Sequence, residues 1–253
     1  MRSTTRLDVS RDRLGELLQG EPPYRVEQIW DGWYRQHRDT ERLTNVPASL
    51  RARLADELPD ALTEIVRSVG DGGDTVKFLW SLRDGPTIET VLMLYRDRAT
   101  VCVSTQAGCA MACSFCATGQ AGFERHLSAG EILEQVVRAA SATDRRVSNV
   151  VFMGMGEPLA NFDATWTAVT RLHGDVGISA RHLTISTVGI LPGIARSPRR
   201  IFPSDSRCPS TRRTTSCAIG SSRSTADIRS PPWPVPAGSI SPPNVADSAS
   251  SGR

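Results

Sequence analysis

Cys109, Cys113 and Cys116 lie in one short run, Gly108-Cys-Ala-Met-Ala-Cys-Ser-Phe-Cys116, as CxxxCxxC. Thiolates at this spacing can converge on a cubane iron-sulfur cluster, each taking one corner iron while the loop backbone wraps the cluster. Three ligands leave one iron open. A structural zinc site would be closed by four ligands at CxxC-type spacings. Here the fourth would have to come from Cys102 or His126, neither of which belongs to a second CxxC pair. Three thiols on one small polar loop would fill a core poorly, which disfavours a metal-free reading. Nothing resembling a secretory signal opens the sequence, so a disulfide framework is not expected.

Other residues could do chemistry alongside the cysteines. In Gly154-Met-Gly-Glu-Pro158 the glycines let backbone approach a ligand, and Glu157 could accept hydrogen bonds from an ammonium group. As a bare pattern this is only a turn. Glu89 interrupts an apolar, β-branched run, which by itself suggests a solvent-facing side chain. Cys102 by itself suggests a small buried hydrophobe, and Ser186, ending a strand, would be unremarkable.

The text around these residues is more specific. Arg98-Ala-Thr-Val-Cys-Val-Ser-Thr-Gln-Ala-Gly108, Ala117-Thr-Gly-Gln-Ala-Gly-Phe-Glu-Arg125 and Val151-Phe-Met-Gly-Met-Gly-Glu-Pro-Leu159 together resemble the RlmN/Cfr family of radical S-adenosylmethionine (SAM) RNA adenine methyltransferases. The helical start looks more like the RlmN branch. The resemblance implies a 4Fe-4S cluster on Cys109, Cys113 and Cys116, with SAM bound at the open iron. It implies that Gly156 and Glu157 receive the methionine amino group and that Ser186 also contacts SAM. Glu89, thirteen residues before Cys102, matches the family's proton-accepting glutamate. Cys102 matches a cysteine that releases a covalent RNA intermediate by forming a transient disulfide, which argues against its being a zinc ligand. The implied substrate is carbon-2 of an adenosine in 23S rRNA, with tRNA as a further candidate. The implied route runs through a methylated cysteine, with an electron donor such as flavodoxin.

The whole chain has a formal net charge of +3, but residues 196–253 hold nine Arg and three Asp, which leaves residues 1–195 three charges on the acidic side. Charge therefore makes no case for nucleic acid, and RNA enters only through the resemblance. At 253 residues and 39% hydrophobic content the chain can bury one good core and a small extra domain. No run approaches the roughly 18 apolar residues of a membrane span. Free cysteine ligands suit a reducing compartment, and a cytoplasmic location is expected.

Three blocks must position these residues. In residues 1–62 apolar positions recur at helical spacing: Leu14, Leu17 and Leu18, then Val26, Ile29, Trp30 and Trp33, then Leu50, Leu54 and Leu58. This predicts a small helical domain, and the resemblance makes it RNA-contacting. From periodicity alone, Trp30 and Trp33 read as ordinary packing.

Residues 63–195 open with strand-like runs at 75–80 and 88–94 about an Asp-Gly turn. A strand at 99–104 then leads into the cysteine loop. Ser128-Ala-Gly-Glu131 is a capping box opening a helix through about Ala140. A strand at 149–153, a helix at 162–173 and a strand at 182–186 follow. This βαβ alternation predicts an α/β fold with a parallel sheet and reactive loops at its carboxyl ends. The resemblance makes it a partial (β/α)6 barrel, of which about three units are legible.

From residue 196 onward the chain has 14 Ser, 9 Pro and 9 Arg but no Leu, Glu or Lys. That composition suits neither barrel strands nor amphipathic helices. The family's remaining βα units, its Ser-Leu-His contact and its methyl-carrying cysteine are not recognisable here. Cys208 and Cys217 match nothing. With 29 Arg and one Lys the chain points to a GC-rich gene, and a shifted reading frame near residues 195–200 would yield such a tail. The alternative to an active methyltransferase is thus an inactive truncated or frameshifted fragment that binds RNA or a labile cluster at most.

Overall fold

A capping box starts the helix around which the fold is organised. In the computed structural model, which describes residues 4–111, 113 and 116–196, Ser128 Oγ accepts the Glu131 N–H and Glu131 returns a bond to the Ser128 N–H, opening α5 (Ala129–Ser141). Asp8 adds to this cap. Its carboxylate accepts Gly130 N at 2.7 Å and Ser128 Oγ at 3.1 Å, an acid at the positive end of the helix. A Cβ at position 130 would lie 2.6 Å from Asp8 Cγ, so only glycine admits this docking.

On one side α5 covers a six-stranded sheet. The strands are β1 (Leu62–Gly70), β2 (Thr75–Leu82), β3 (Thr87–Leu94), β4 (Ala99–Cys102), β7 (Val147–Phe152) and β8 (Leu183–Ile185), in that spatial order. β1 to β4 pair antiparallel, whereas β4–β7 and β7–β8 are parallel. The parallel part is built of strand–helix units: β4 with α5, β7 with α6 (Phe162–Gly174), and β8 with α7 (Leu191–Arg196). The α/β reading and the three legible units are thereby found. The ladder outlasts β4 by one residue, since Val103 N donates to Val151 O at 3.0 Å.

Alternation along the strands separates two faces. Ile88, Thr90 and Leu92 of β3 are buried, while Glu89, Val91 and Met93 between them are half-buried. The same alternation in β2 buries Val76, Phe78, Trp80 and Leu82. Among the described residues β1 pairs only with β2, and it is exposed beyond Leu62.

The helices α1 (Arg11–Leu17), α2 (Tyr24–Tyr34) and α3 (Ala48–Glu57) form the amino-terminal segment. Their buried apolar side chains join those of the sheet in one continuous cluster running from Leu7 to Ile185. Trp30 and Trp33 both belong to it. Trp33 Nε1 donates to Thr40 Oγ1 at 3.2 Å and Trp30 Nε1 to Asp175 Oδ1 at 3.0 Å, so each buried indole has its acceptor.

A charged knot fastens the segment to α5. Arg6 is fully buried; its Nε lies 2.6 Å from Asp60 Oδ1 and its Nη2 3.3 Å from Asp39 Oδ1. The Nε contact is an ion pair without the direction of a hydrogen bond. Glu134, also fully buried, accepts the Ala61 and Leu62 N–H groups and Arg138 Nε. Burial pushes the Glu134 carboxyl above the usual carboxylate range, while Arg6 and Arg138 pull it back. Among the described residues no helix is long and apolar enough to cross a membrane. Residues 197–253, with Cys208 and Cys217, lie outside the described residues.

Candidate active site

The cysteine loop is closed at its base by two short strands, β5 (Gln106–Gly108) and β6 (Phe123–His126), paired antiparallel. Gly108 has φ +72°, and a Cβ there would lie 2.0 Å from Gly122 O. The close approach lets Cys109 N donate to Gly122 O at 2.8 Å. Arg125 then pins β6 to the start of α5, with two 2.8 Å bonds to Glu131 and one of 2.5 Å to Asp84. Burial opposes the Arg125 charge, but the two carboxylates outweigh it and hold the guanidinium protonated.

Cys109, Cys113 and Cys116 are free and half-buried on this loop. Cys116 N donates to Cys113 O at 3.0 Å, and Cys116 then caps α4 (Ala117–Ala121). Among the described residues no three His, Cys, Asp or Glu side chains are gathered as a metal group, so the thiols are not preassembled. The donor set is nonetheless chemically apt: three free thiols on one loop whose ends are tied together, accessible to an incoming cluster. His126 and Cys102, the sequence candidates for a fourth zinc ligand, are engaged elsewhere. His126 Nδ1 lies 2.9 Å from Gln106 Nε2, and the Cys102 thiol is mostly buried at the end of β4.

Gln106 joins the cysteine loop to the next one. Its Oε1 accepts Glu157 N at 2.8 Å, and a Cβ on Gly156 (φ +97°) would lie 2.5 Å from Gln106 Cβ. Thr105 N donates to Met155 O at 2.8 Å. Gly154 lies equally close to Ser104, whose backbone N would be 2.8 Å from an added Cβ. The glycines of this segment serve the close approach of one protein loop to another.

Glu157 is almost fully buried. Its Oε1 accepts Thr187 Oγ1 at 2.6 Å and Leu159 N at 3.0 Å, and its Oε2 accepts Val188 N at 2.9 Å. The carboxylate therefore ties the loop after β7 to the loop after β8. Ser186, half-buried, donates its N–H to Phe152 O at 3.4 Å between the same two strands. Gly156, Glu157 and Ser186 thus sit together at the carboxyl ends of the parallel strands.

Glu89 and Cys102 share the less covered face of the sheet. Val91, two residues along β3 from Glu89, pairs with Cys102. Glu89 is not simply solvent-facing, because Lys77 Nζ lies 2.5 Å from its Oε1. Ser104 Oγ donates to the Glu89 carbonyl at 2.6 Å and accepts Met155 N at 3.0 Å. Gln135 of α5, fully buried, accepts Ser104 N at 2.8 Å and Thr90 Oγ1 at 2.9 Å and donates to Ser104 O at 3.0 Å. Lys77, Ser104, Gln106 and Gln135 escaped the sequence reading. Each acts on a partner far along the chain, and only their polarity beside apolar neighbours hinted at it.

Burial pushes the Cys102 thiol above its ordinary range, partly offset by a bond from the Met153 backbone. Alkylation of Cys102 is therefore expected to be slow at neutral pH and still accelerating above pH 9, the ordinary thiol value. Timed iodoacetamide labelling read by peptide mass spectrometry checks this, and a rate already level at pH 8 would contradict it.

Known proteins resemble this chain in sequence and in fold. The Radical SAM superfamily profile matches residues 103–201. A probable dual-specificity RNA methyltransferase RlmN of Chloroflexus aurantiacus is 47% identical over 210 residues, covering 78% of this chain and 56% of that protein. The corresponding protein of Corynebacterium diphtheriae is 50% identical over 195 residues, covering 73% and 52%. Over the matched residues the chain is similar to RlmN-type radical SAM RNA methyltransferases. It spans about half the length of the curated relatives it matches. The fold is shared as well: the crystal structure of a radical SAM methyltransferase from Sphaerobacter thermophilus superposes with a TM-score of 0.73 at 44% identity, over 79% of this chain and 62% of that one.

Proposed function

We propose that this chain is a radical SAM methyltransferase that methylates carbon-2 of an adenosine in 23S rRNA, with tRNA as a further candidate substrate. Supporting this reading most strongly is the tied cysteine loop beside the Gly156–Glu157 turn, at the carboxyl ends of parallel strands, in a chain similar to RlmN proteins.

Cys109, Cys113 and Cys116 would hold a 4Fe-4S cluster, which supplies reductive cleavage of SAM and hence radical chemistry. Such chemistry is needed because an aromatic ring carbon holds its hydrogen too tightly, and is too weak a nucleophile, for ordinary methyl transfer. The Gly156–Glu157 turn and Ser186 would hold SAM. Three protein donors already engage the Glu157 carboxylate, so the backbone of this turn would share the contact to the SAM amino group. Glu89 would accept the proton leaving the adenine carbon. Cys102, whose thiol is held protonated, would have to lose its proton before it could form the transient disulfide that frees the methylated base from a methyl-carrying cysteine, a residue to which no position of this chain is assigned. Residues 1–62 would form an RNA-contacting domain, residues 63–195 the incomplete radical SAM core and residues 196–253 a low-complexity tail. An electron donor such as flavodoxin and a cytoplasmic setting complete the reading.

The test is anaerobic reconstitution with iron and sulfide, followed by SAM, reductant and 23S rRNA. Free 5′-deoxyadenosine together with 2-methyladenosine in the digested RNA is the expected result. A cluster that cleaves SAM without methylating RNA would leave a working SAM site with no methyl carrier and defeat the methyltransferase reading, and one that yields neither product would overturn it in favour of an inactive fragment.

A further inference from the structure

We infer that Lys77 is a positioning residue for Glu89, holding one oxygen of its carboxylate so that the other stays free to take a proton. This rests on the reading of Glu89 as proton acceptor.

Lys77 is the only lysine in a chain with 29 arginines, and its Nζ lies 2.5 Å from Glu89 Oε1. Antiparallel pairing sets Lys77 opposite Val91 and Glu89 opposite Leu79, so the two charged side chains are diagonal neighbours on one face of the sheet. Cys102, opposite Val91, shares that face. The Glu89 main chain is already held by the ladder and by Ser104 Oγ on its carbonyl. What freedom remains lies in the side-chain torsions, and the ion pair biases them toward one orientation.

Both side chains are about half exposed, 49% for Lys77 and 43% for Glu89, so the pair adds little to folding stability. Its effect is on geometry. An ammonium is a point charge that engages one carboxylate oxygen, whereas a guanidinium fork engages both in parallel. Every other basic residue except histidine in this chain is arginine. At this position a fork would occupy the oxygen that must receive the proton.

Two measurements test the inference on the full chain. With isotopically labelled lysine the protein carries a single lysine side-chain signal, and Glu89→Gln is expected to move it; an unmoved signal would show that no pair exists in solution. In the methylation assay, Lys77→Met and Lys77→Arg are both expected to lower kcat about tenfold at unchanged KM for RNA, because misplacement of a reacting group is costly in rate. Wild-type kcat in Lys77→Arg, with only a raised KM in Lys77→Met, would assign Lys77 to holding RNA phosphates and overturn the inference. A wild-type chain that loads its cluster but makes no methyladenosine would instead defeat the proposed methyltransferase function as a whole, and this inference with it. Methylation by wild type and both variants alike would defeat this inference alone.

Discussion

Arg6→Met is expected to cost about 3–5 kcal/mol of folding stability, the range for breaking a buried ion pair from one side. Arg6 is fully buried and reaches Asp39, Asp60 and the Arg38 carbonyl, with Glu134 Oε1 3.9 Å away. Methionine replaces much of the volume but none of the charge, which leaves Glu134 buried with Arg138 as its remaining cation. The sign of the pH dependence follows. Glu134 titrates above its ordinary value in the folded protein, so folding is favoured when it is protonated and loses that advantage as pH rises through its folded value. Losing Arg6 raises that value further. The Arg6→Met deficit should therefore be larger at pH 7 than at pH 5 in urea unfolding. Glu134→Gln should recover part of it, by about 1–3 kcal/mol in a double-mutant cycle. A deficit within about 0.5 kcal/mol, the range for ordinary surface substitutions, would show that the knot does not fasten the amino-terminal segment.

The second large effect is expected at the base of the cysteine loop. Gly108→Ala places a side chain at φ +72° and a Cβ 2.0 Å from the Gly122 carbonyl oxygen, so β5 and β6 must part. Positive φ costs about 1–2 kcal/mol by itself, and opening the base also sacrifices the Cys109 N–H bond to Gly122, for a total of about 3 kcal/mol. Gly122→Ala is the control. Its φ is +90°, but an added Cβ meets nothing within 4 Å, so only the backbone strain remains. After reconstitution and desalting, Gly108→Ala should retain little iron while Gly122→Ala retains most of it. Equal retention by the two variants would show that the close approach does not shape the loop.

Legibility in the sequence followed the range of the interactions. The Ser128–Glu131 box and the apolar alternation of β2 and β3 are local patterns, and each is found where the spacing put it. What stayed hidden depends on partners far apart in the chain. Arg6 meets Glu134, Asp8 caps α5 and Gln106 holds the turn at Glu157 across separations that no window spans. The β5–β6 pair is not legible in the sequence because each strand is three or four residues long and owes its position to Gly108 and Arg125 rather than to alternation. The pattern around Glu157 suits an acceptor for a ligand, and only the fold shows that its carboxylate also takes three bonds from the protein itself. The periodicity that assigned Trp30 and Trp33 to packing agrees with their burial.

The central claim is that the loop from Cys109 to Cys116 is built to hold an iron-sulfur cluster. Iron and sulfide analysis of the anaerobically reconstituted chain, with Cys109→Ala, Cys113→Ala and Cys116→Ala beside it, tests this most directly. The account predicts about four iron and four sulfide per wild-type chain, with the content collapsing in each variant. Zinc in place of iron, or iron that survives all three substitutions, would contradict it.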